Sequence, residues 1–433
     1  MPSADADSTA DPGPDQRPPS LPSPSSSPGP PTRAALVFIF ITVALDMLAL
    51  GMIIPVLPKL VVDFVGGDMG RAALTYGLFV TVWESMQFLF SPLLGALSDR
   101  FGRRPVVLLS NFGLGADYVL MALAPSLSLL LVGRAISGIT SASFSTAGAY
   151  IADVMPPERR AGAFGTLGAA FGLGFVVGPA LGGFLGTLGP RVPFWVAASL
   201  SLANALYGAF ILPESLPLHR RAPFAWRRAN PVGALLLLSS RPELIGLAMV
   251  SFVANLAHFV LQSTFVLYAG YRYGWDERTV GLSLALVGVC ASIVQGGLVR
   301  HVVARLGERP TLLVGLLFGA SGFATYGLAP TSAFFWFGIP LNALWGLAGP
   351  AAQGLMSRQV GPSEQGQLQG ALASLAAIAG IFGPTMFTAT FARGIEPSSR
   401  IHVPGAPFLL AASLLLVAAV LAARATRRPR LAS

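Results

Sequence analysis

Twelve stretches of this chain are apolar for long enough to require helices that cross a bilayer. Hydrocarbon offers no partner to backbone N–H and C=O groups, so a spanning segment must satisfy them internally, and about 20 residues of α-helix cover roughly 30 Å. The stretches run 34–57, 74–97, 106–125, 128–151, 162–185, 192–212, 243–269, 279–299, 311–329, 332–354, 366–391 and 406–423. Composition agrees, with 53% of the 433 residues hydrophobic and 11% charged. A soluble domain carries about 25% charge. An ordinary soluble enzyme is thereby excluded, and an all-α polytopic membrane protein is expected.

Charge sets the expected orientation. With both termini in the cytoplasm, 20 arginines fall on inner segments and 7 Lys or Arg on outer ones, Arg134 alone lying inside a span. The positive-inside rule favours that arrangement. Leaving out segment 213–242, the longest inner one and the expected linker, the balance is still 15 to 7. The net charge of +9 therefore reports membrane orientation, and no basic stripe points to nucleic acid. Trp195, Trp275 and Trp336 fall near the outer ends of spans, where amphipathic rings suit the interface. Residues 1–32, rich in Pro, Ser, Gly and Asp, are expected to form a disordered tail rather than a secretory signal, and 424–433 a basic tail. The single cysteine, Cys290, permits neither a disulfide framework nor a Cys/His metal site. Lys59 is the only lysine and no phosphate-binding loop is present, so ATP is not the expected energy source.

A shift of 205 residues superposes Gly102, Arg104 and Pro105 on Gly307, Arg309 and Pro310. It also carries Gly165 to Gly370 and Gly178-Pro179 to Gly383-Pro384. The chain therefore reads as two parallel halves of six spans, 33–212 and 243–423. Transporters use such repeats to form a central site open alternately to either side. A duplicated bundle also suits a receptor or scaffold, which would bind a ligand without moving it.

Four charged groups lie well inside spans: Asp46, Glu84, Asp117 and Arg134, all in the first half. A charge at mid-bilayer costs at least about 2.5 to 3.5 kcal/mol, so such groups face a cavity or one another. A carboxylate there takes up a proton when desolvated and holds its charge beside a guanidinium, which is what a proton carrier requires. Asp46 is the leading proton or cation site on this reading, Arg134 the group tuning it, and Asp117 a substrate-lining acid. Glu84 is a further proton site or a local hydrogen-bonding group. Asn255, His258, Gln262 and Phe265 follow helical spacing on one face of the seventh span and suit a cavity wall. Gln295, Asn342 and Gln353 are assigned to the opposite wall, with Trp345 as a stacking surface; helix-packing roles compete with each of these.

The second and third spans are joined by Gly95-Ala-Leu-Ser-Asp99-Arg100-Phe-Gly102-Arg103-Arg104-Pro105. Crowding these charges in a short turn predicts charge-assisted pairs between helix ends, with Gly102 permitting the turn and Gly95 a close helix approach. The string resembles the most characteristic motif of the major facilitator superfamily, echoed by Leu306-Gly-Glu-Arg-Pro310. The resemblance implies a gate in which Asp99 and Arg103, flanked by Arg100 and Arg104, form a latch that breaks and re-forms. Gly133-Arg134-Ala-Ile-Ser-Gly138 resembles the superfamily's intramembrane arginine motif. Gly174-Phe-Val-Val-Gly178-Pro179-Ala-Leu-Gly182-Gly183 is similar to its drug-antiporter motif. Gly174, Gly178 and Gly182 would form one flat face for packing, and Pro179 frees the carbonyl of Phe175.

Together with Leu45-Asp46 through Gly51 to Pro55-Val-Leu-Pro58, Asp117-Tyr118 and Gln353-Gly-Leu-Met356, these strings resemble the tetracycline/proton antiporters of that superfamily, from about residue 34 to 420. The resemblance implies the major facilitator fold of twelve transmembrane helices and proton-driven export across a bacterial-type inner membrane. The family substrate is a tetracycline–metal complex, so a divalent metal would travel with the drug; no resident cofactor or metal is implied. A monomer suffices for this mechanism. The likeness breaks where such exporters carry a histidine in span eight and an acid in span nine: here stand Ala291 and Gly319. Export of another drug or metabolite is the alternative within transport. A membrane enzyme finds no nucleophile–base pair or metal-ligand spacing to support it.

Overall fold

The computed structural model describes residues 33–141, 143–224, 235, 237–238, 241–361, 364–397 and 402–426. The expected N-terminal tail, residues 427–433 of the C-terminal one and most of 225–240 lie outside the described residues.

In chain order the helices are α1 (Arg33–Ile53), α2 (Leu57–Phe64), α3 (Met69–Phe101), α4 (Arg103–Leu123), α5 (Leu127–Thr140), α6 (Ser143–Val154), α7 (Pro157–Leu188) and α8 (Val192–Ile211). The second half follows with α9 (Pro242–Tyr273), α10 (Glu277–Ile293), α11 (Val299–Leu306), α12 (Glu308–Leu328), α13 (Ser332–Ala343), α14 (Ala348–Ser357), α15 (Gln365–Gly394) and α16 (Ala406–Ala425). Among the described residues, ten helical segments are long and apolar enough to cross a membrane. The two remaining expected spans are broken ones, α5–α6 and α13–α14, which gives the twelve-helix fold. Several helices outrun the apolar windows: span two fills Met69–Phe101 rather than 74–97. Hydropathy marks only the part in hydrocarbon, while capped polar ends continue the helix; Asp68, for instance, accepts from Arg71 N–H at the start of α3.

Breaks fall where they shape the interior. A wide π turn at Val294–Leu298, carrying Gly296-Gly297, separates α10 from α11 and swings Gln295 inward. After Pro340, which donates no backbone hydrogen bond, α13 tightens into a 3₁₀ turn at Leu344–Leu347 that brings Trp345 to the same space.

Helix pairings in one half recur in the other. Span one packs on five and six, as seven packs on eleven and twelve; three packs on four and six, as nine packs on ten and twelve. Between halves, α3 lies against α15 and α7 against α10, pairs that the repeat relates to each other. An ion pair repeats as well, with its signs exchanged: Arg103–Asp153 at 2.9 Å corresponds, after the 205-residue shift, to Glu308–Arg358 at 2.9 Å.

Among the described residues, the halves pack together toward one end. Thr81 Oγ1 lies 2.9 Å from Thr385 Oγ1, and a Cβ on Gly288 would come within 2.6 Å of Val176 Cγ2. At the end carrying Arg100 and Arg103, a Cβ on Gly162, Gly165, Gly168 or Gly172 of α7, or on Gly296 or Gly297, would meet nothing within 4 Å. Gly95 is in open space too, so the close approach expected there is absent. The physical reason is the splaying: at this end α3 and its partners have parted.

Candidate functional site

Charge gathers in the first half. Arg134, buried on α5, lies within electrostatic reach of Glu84 on α3, Asp117 on α4 and the Tyr76 and Tyr118 hydroxyls. Its guanidinium also stands 5.2 Å from the centre of the Trp83 ring, a cation–π arrangement. Trp83 Nε1 donates to Ser137 Oγ at 3.3 Å, and Ser137 interacts with Asp117. Asp46, buried on α1, reaches the group through Tyr118. The glycines of the arginine motif make this cluster possible. A Cβ on Gly133 would stand 2.7 Å from Asp117 Oδ1, and one on Gly138 would stand 2.6 Å from Trp83 O. Glu84 points away from its own half: the space left by the missing side chain of Gly380, on α15, receives its carboxylate, and a Cβ there would lie 2.7 Å from Oε2.

A cavity of about 460 Å³ occupies the second half. Asn255 and His258 from α9, Gln295 from the π turn, and Asn342 and Trp345 from the tenth span line it, beside Ala291. Asn255 Nδ2 donates to Ser251 O at 2.8 Å. His258 and Trp345 lie with ring centres 5.5 Å apart, and Phe323 backs the indole edge-on at 5.5 Å. Four residues of the sequence reading fall elsewhere. Gln262 is exposed and takes part through its backbone oxygen, which accepts from Tyr76 OH across the halves at 3.4 Å; Asp117 belongs to the charged cluster. Phe265 is buried against Phe335, with ring centres 5.5 Å apart, and Gln353 is exposed outside the cavity lining.

The short turn after α3 is an ion network within the first half. Arg103 donates to Asp99 Oδ1 at 2.6 Å, Ser98 Oγ at 3.2 Å and Asp153 Oδ2 at 2.9 Å. Gly102 has φ +109°, and a Cβ there would strike the Glu214 carboxylate, which accepts from Arg103 N–H at 2.7 Å and Arg104 N–H at 3.3 Å. Arg104 reaches Ala209 O, and Arg100 lies over the Phe101 ring. Sequence reasoning missed Asp153 and Glu214 because each is an ordinary charge after a span until the fold brings it to the turn.

Gly174, Gly178 and Gly182 press α7 onto α1: a Cβ on Gly174 would lie 2.5 Å from Ala44 O, one on Gly178 2.7 Å from Leu48 O, and one on Gly182 would strike the Met52 backbone. The opposite face of the same stretch meets α10, where Gly281 abuts Pro179 O and Gly183 abuts Glu277 O. There Lys59 Nζ, from α2, pairs with Glu277 Oε1 at 2.7 Å, joining the halves. Neither partner carried a sequence signal, apart from the rarity of lysine.

A charged cluster and a largely apolar cavity carrying a few polar groups, set in paired six-helix halves that part at one end, define the class: a multi-pass, membrane-embedded small-molecule transporter. A sequence profile described as Major Facilitator Superfamily matches residues 39–384. The class C tetracycline resistance protein of Escherichia coli is 38% identical over 386 residues, covering 88% of this chain and 95% of that one. The solved human organic anion transporter MFSD10 (TETRAN) superposes with a TM-score of 0.68 at 26% identity, covering 91% of this chain and 100% of that one. The nucleoside transporter NupG, at 11% identity and a TM-score of 0.76 over 91% of this chain and 100% of that one, shares the fold. The chain belongs to the Major Facilitator Superfamily.

Proposed function

We propose that this chain is a proton-coupled exporter of tetracycline, set in a bacterial-type inner membrane with both termini in the cytoplasm. One observation carries the reading: a chain matching 95% of a tetracycline resistance protein buries Asp46, Glu84 and Asp117 in the half that holds Arg134. The proton gradient supplies the energy. Protonation of the acids discharges the cluster from one side of the membrane, and Arg134 favours release of those protons once the cavity faces the other. No resident cofactor is needed, and a monomer contains every group the cycle uses. A divalent metal enters, where it enters at all, bound to the drug.

On this reading the splayed end faces the cytoplasm and the cavity is poised to load. The network around Arg103 is then the resting half of a latch whose other half lies on the parted helices. Lys59–Glu277 holds the outer end shut.

Inverted membrane vesicles test the reading. Tetracycline with magnesium, added after an inward proton gradient is established, is expected to release protons from wild-type vesicles and not from those with Asp46→Asn. Silence from correctly inserted wild-type protein would overturn it. A reading as exporter of a different compound is favoured by one feature, the uncharged lining at Ala291 beside the cavity.

A further inference from the structure

The repeat relates two seams between the halves, α7 against α10 and α3 against α15, and the two are closed differently. In the first, the end of α7 presses on the start of α10: a Cβ on Gly186 would come within 3.2 Å of Glu277 Cβ, and Glu277 pairs with Lys59. The 205-residue shift relates Asp276 and Glu277 to Arg71 and Ala72, and Gly186 to Phe391. The second seam therefore begins α3 with a cation where the first begins its helix with two acids. It is also gapped. A cavity of about 630 Å³ lies there, lined by Asp68, Arg71 and Leu74 around the start of α3, by Tyr271 of α9, and by Ala389 and Arg393 near the end of α15.

The two arginines come from opposite halves and face one space. Among the described residues, neither guanidinium forms an ion pair or a hydrogen bond. The acids beside them are engaged: Asp68 Oδ1 accepts from Arg71 N–H at 3.0 Å, and Glu396, which also lines the cavity, has an interaction of its own. Two like charges across a gap call for an anion between them, and the planar, paired donors of a guanidinium match phosphate oxygens.

Depth says which phosphate. Arg71 stands three residues before the apolar stretch 74–97 and Arg393 two residues after 366–391, so at 1.5 Å per residue both lie within about 5 Å of the hydrocarbon edge. That is headgroup level. Leu74, which is 50% exposed, and Ala389 extend the lining from there into the apolar layer. A soluble anion would use the arginines and leave this wall unused, whereas a lipid uses both.

We propose that a phospholipid of the leaflet at the closed end seats its phosphodiester between Arg71 and Arg393 and lays an acyl chain along Leu74 and Ala389. The lipid joins the halves at this seam as Lys59–Glu277 joins them at the other. Calling that leaflet the outer one rests on the transport reading; the site itself does not.

The full chain, stripped of lipid in dodecyl maltoside, a detergent without phosphate, tests the site. Titration with dioleoylphosphatidylglycerol, followed by native mass spectrometry, counts the lipids retained. Wild type is expected to keep one lipid more than Arg71→Gln or Arg393→Gln, with affinity at that site about tenfold weaker in each variant, as loss of one charge-assisted hydrogen bond gives. Arg278→Gln, which removes an exposed arginine outside the cavity lining, should match wild type. Arg71→Lys and Arg393→Lys, which lose the paired donors and keep the charge, serve where a glutamine variant does not fold.

A second readout follows the seam. In a Cys290→Ser background with Thr385→Cys, the lipid is expected to slow thiol labelling several-fold, and to have no effect once Arg71→Gln and Arg393→Gln are combined. Equal lipid retention in all variants, or labelling indifferent to lipid, would overturn the proposal. So would equal protection by glycerol 3-phosphate or inorganic phosphate at the same concentration, since the site would then take a free anion. Neither readout involves tetracycline: failure here leaves the exporter standing, and a silent vesicle assay leaves the lipid site.

Discussion

Single side chains decide how the charged cluster works. Glu84 is the acid that reaches across to the other half, its carboxylate seated at Gly380. Glu84→Gln keeps the shape and removes the charge beside Arg134; proton release in the vesicle assay is expected to fall about tenfold. Gly133→Val should be more severe, because added carbons must displace Asp117 Oδ1 and Met121 Cγ, 2.7 and 2.8 Å from the Cβ position. An overpacked site of this kind costs about 1–3 kcal/mol, measurable as a lower melting temperature. Outside the membrane, Gly361 N–H and Arg241 hold the Glu364 carboxyl below its ordinary value of 4.5. Its contribution to stability is therefore complete above that value and is lost as pH falls through the lowered one. Melting curves of wild type and Glu364→Gln are expected to differ at pH 7 and converge in acid. The four buried charges were legible in the sequence because charge inside an apolar run is anomalous. The fit of Trp345 into the gap at Gly319 was not, since a missing side chain leaves no sign of what fills it.

At the scale of elements, spans were legible because length and hydropathy are local properties. Where a span breaks was harder to read: α13–α14 stays apolar across its interruption, and hydropathy does not register a change of helical pitch. The glycine face of α7 was read as a packing surface, and it is one; the sequence did not reveal that the stretch is gripped on two sides, by α1 and by α10. Gly178→Ala separates the two consequences. Its Cβ would lie 2.7 Å from Leu48 O, a backbone atom that cannot step aside. A loss of about 1–3 kcal/mol is expected, read as lower thermal stability. The turn after α3 depends likewise on one backbone conformation. Gly102→Ala forces a side chain into φ +109° against Glu214 and is expected to destabilise this end of the first half.

The molecule as a whole is closed at one end, where α3 packs on α15 and α7 on α10, and among the described residues Lys59–Glu277 is the ion pair between halves. Lys59→Glu or Glu277→Lys alone places like charges together and should loosen that end. The double exchange restores a pair and should restore closure. Labelling from the closed end of a cysteine introduced at Thr385, in a Cys290→Ser background, measures it: faster in each single variant, slow again in the double. Such pairings were hidden in the sequence because the partner lies in the other half, over two hundred residues away. The unequal sharing of charge has a consequence for biogenesis. A nascent chain delivers its first six spans to the membrane before the last six exist, and those are the spans that carry Asp46, Glu84 and Asp117. Since Arg134 arrives with them, the half that is dearest to insert brings its own counter-ion, and the later half, free of charge at its centre, follows as ordinary hydrophobic helices.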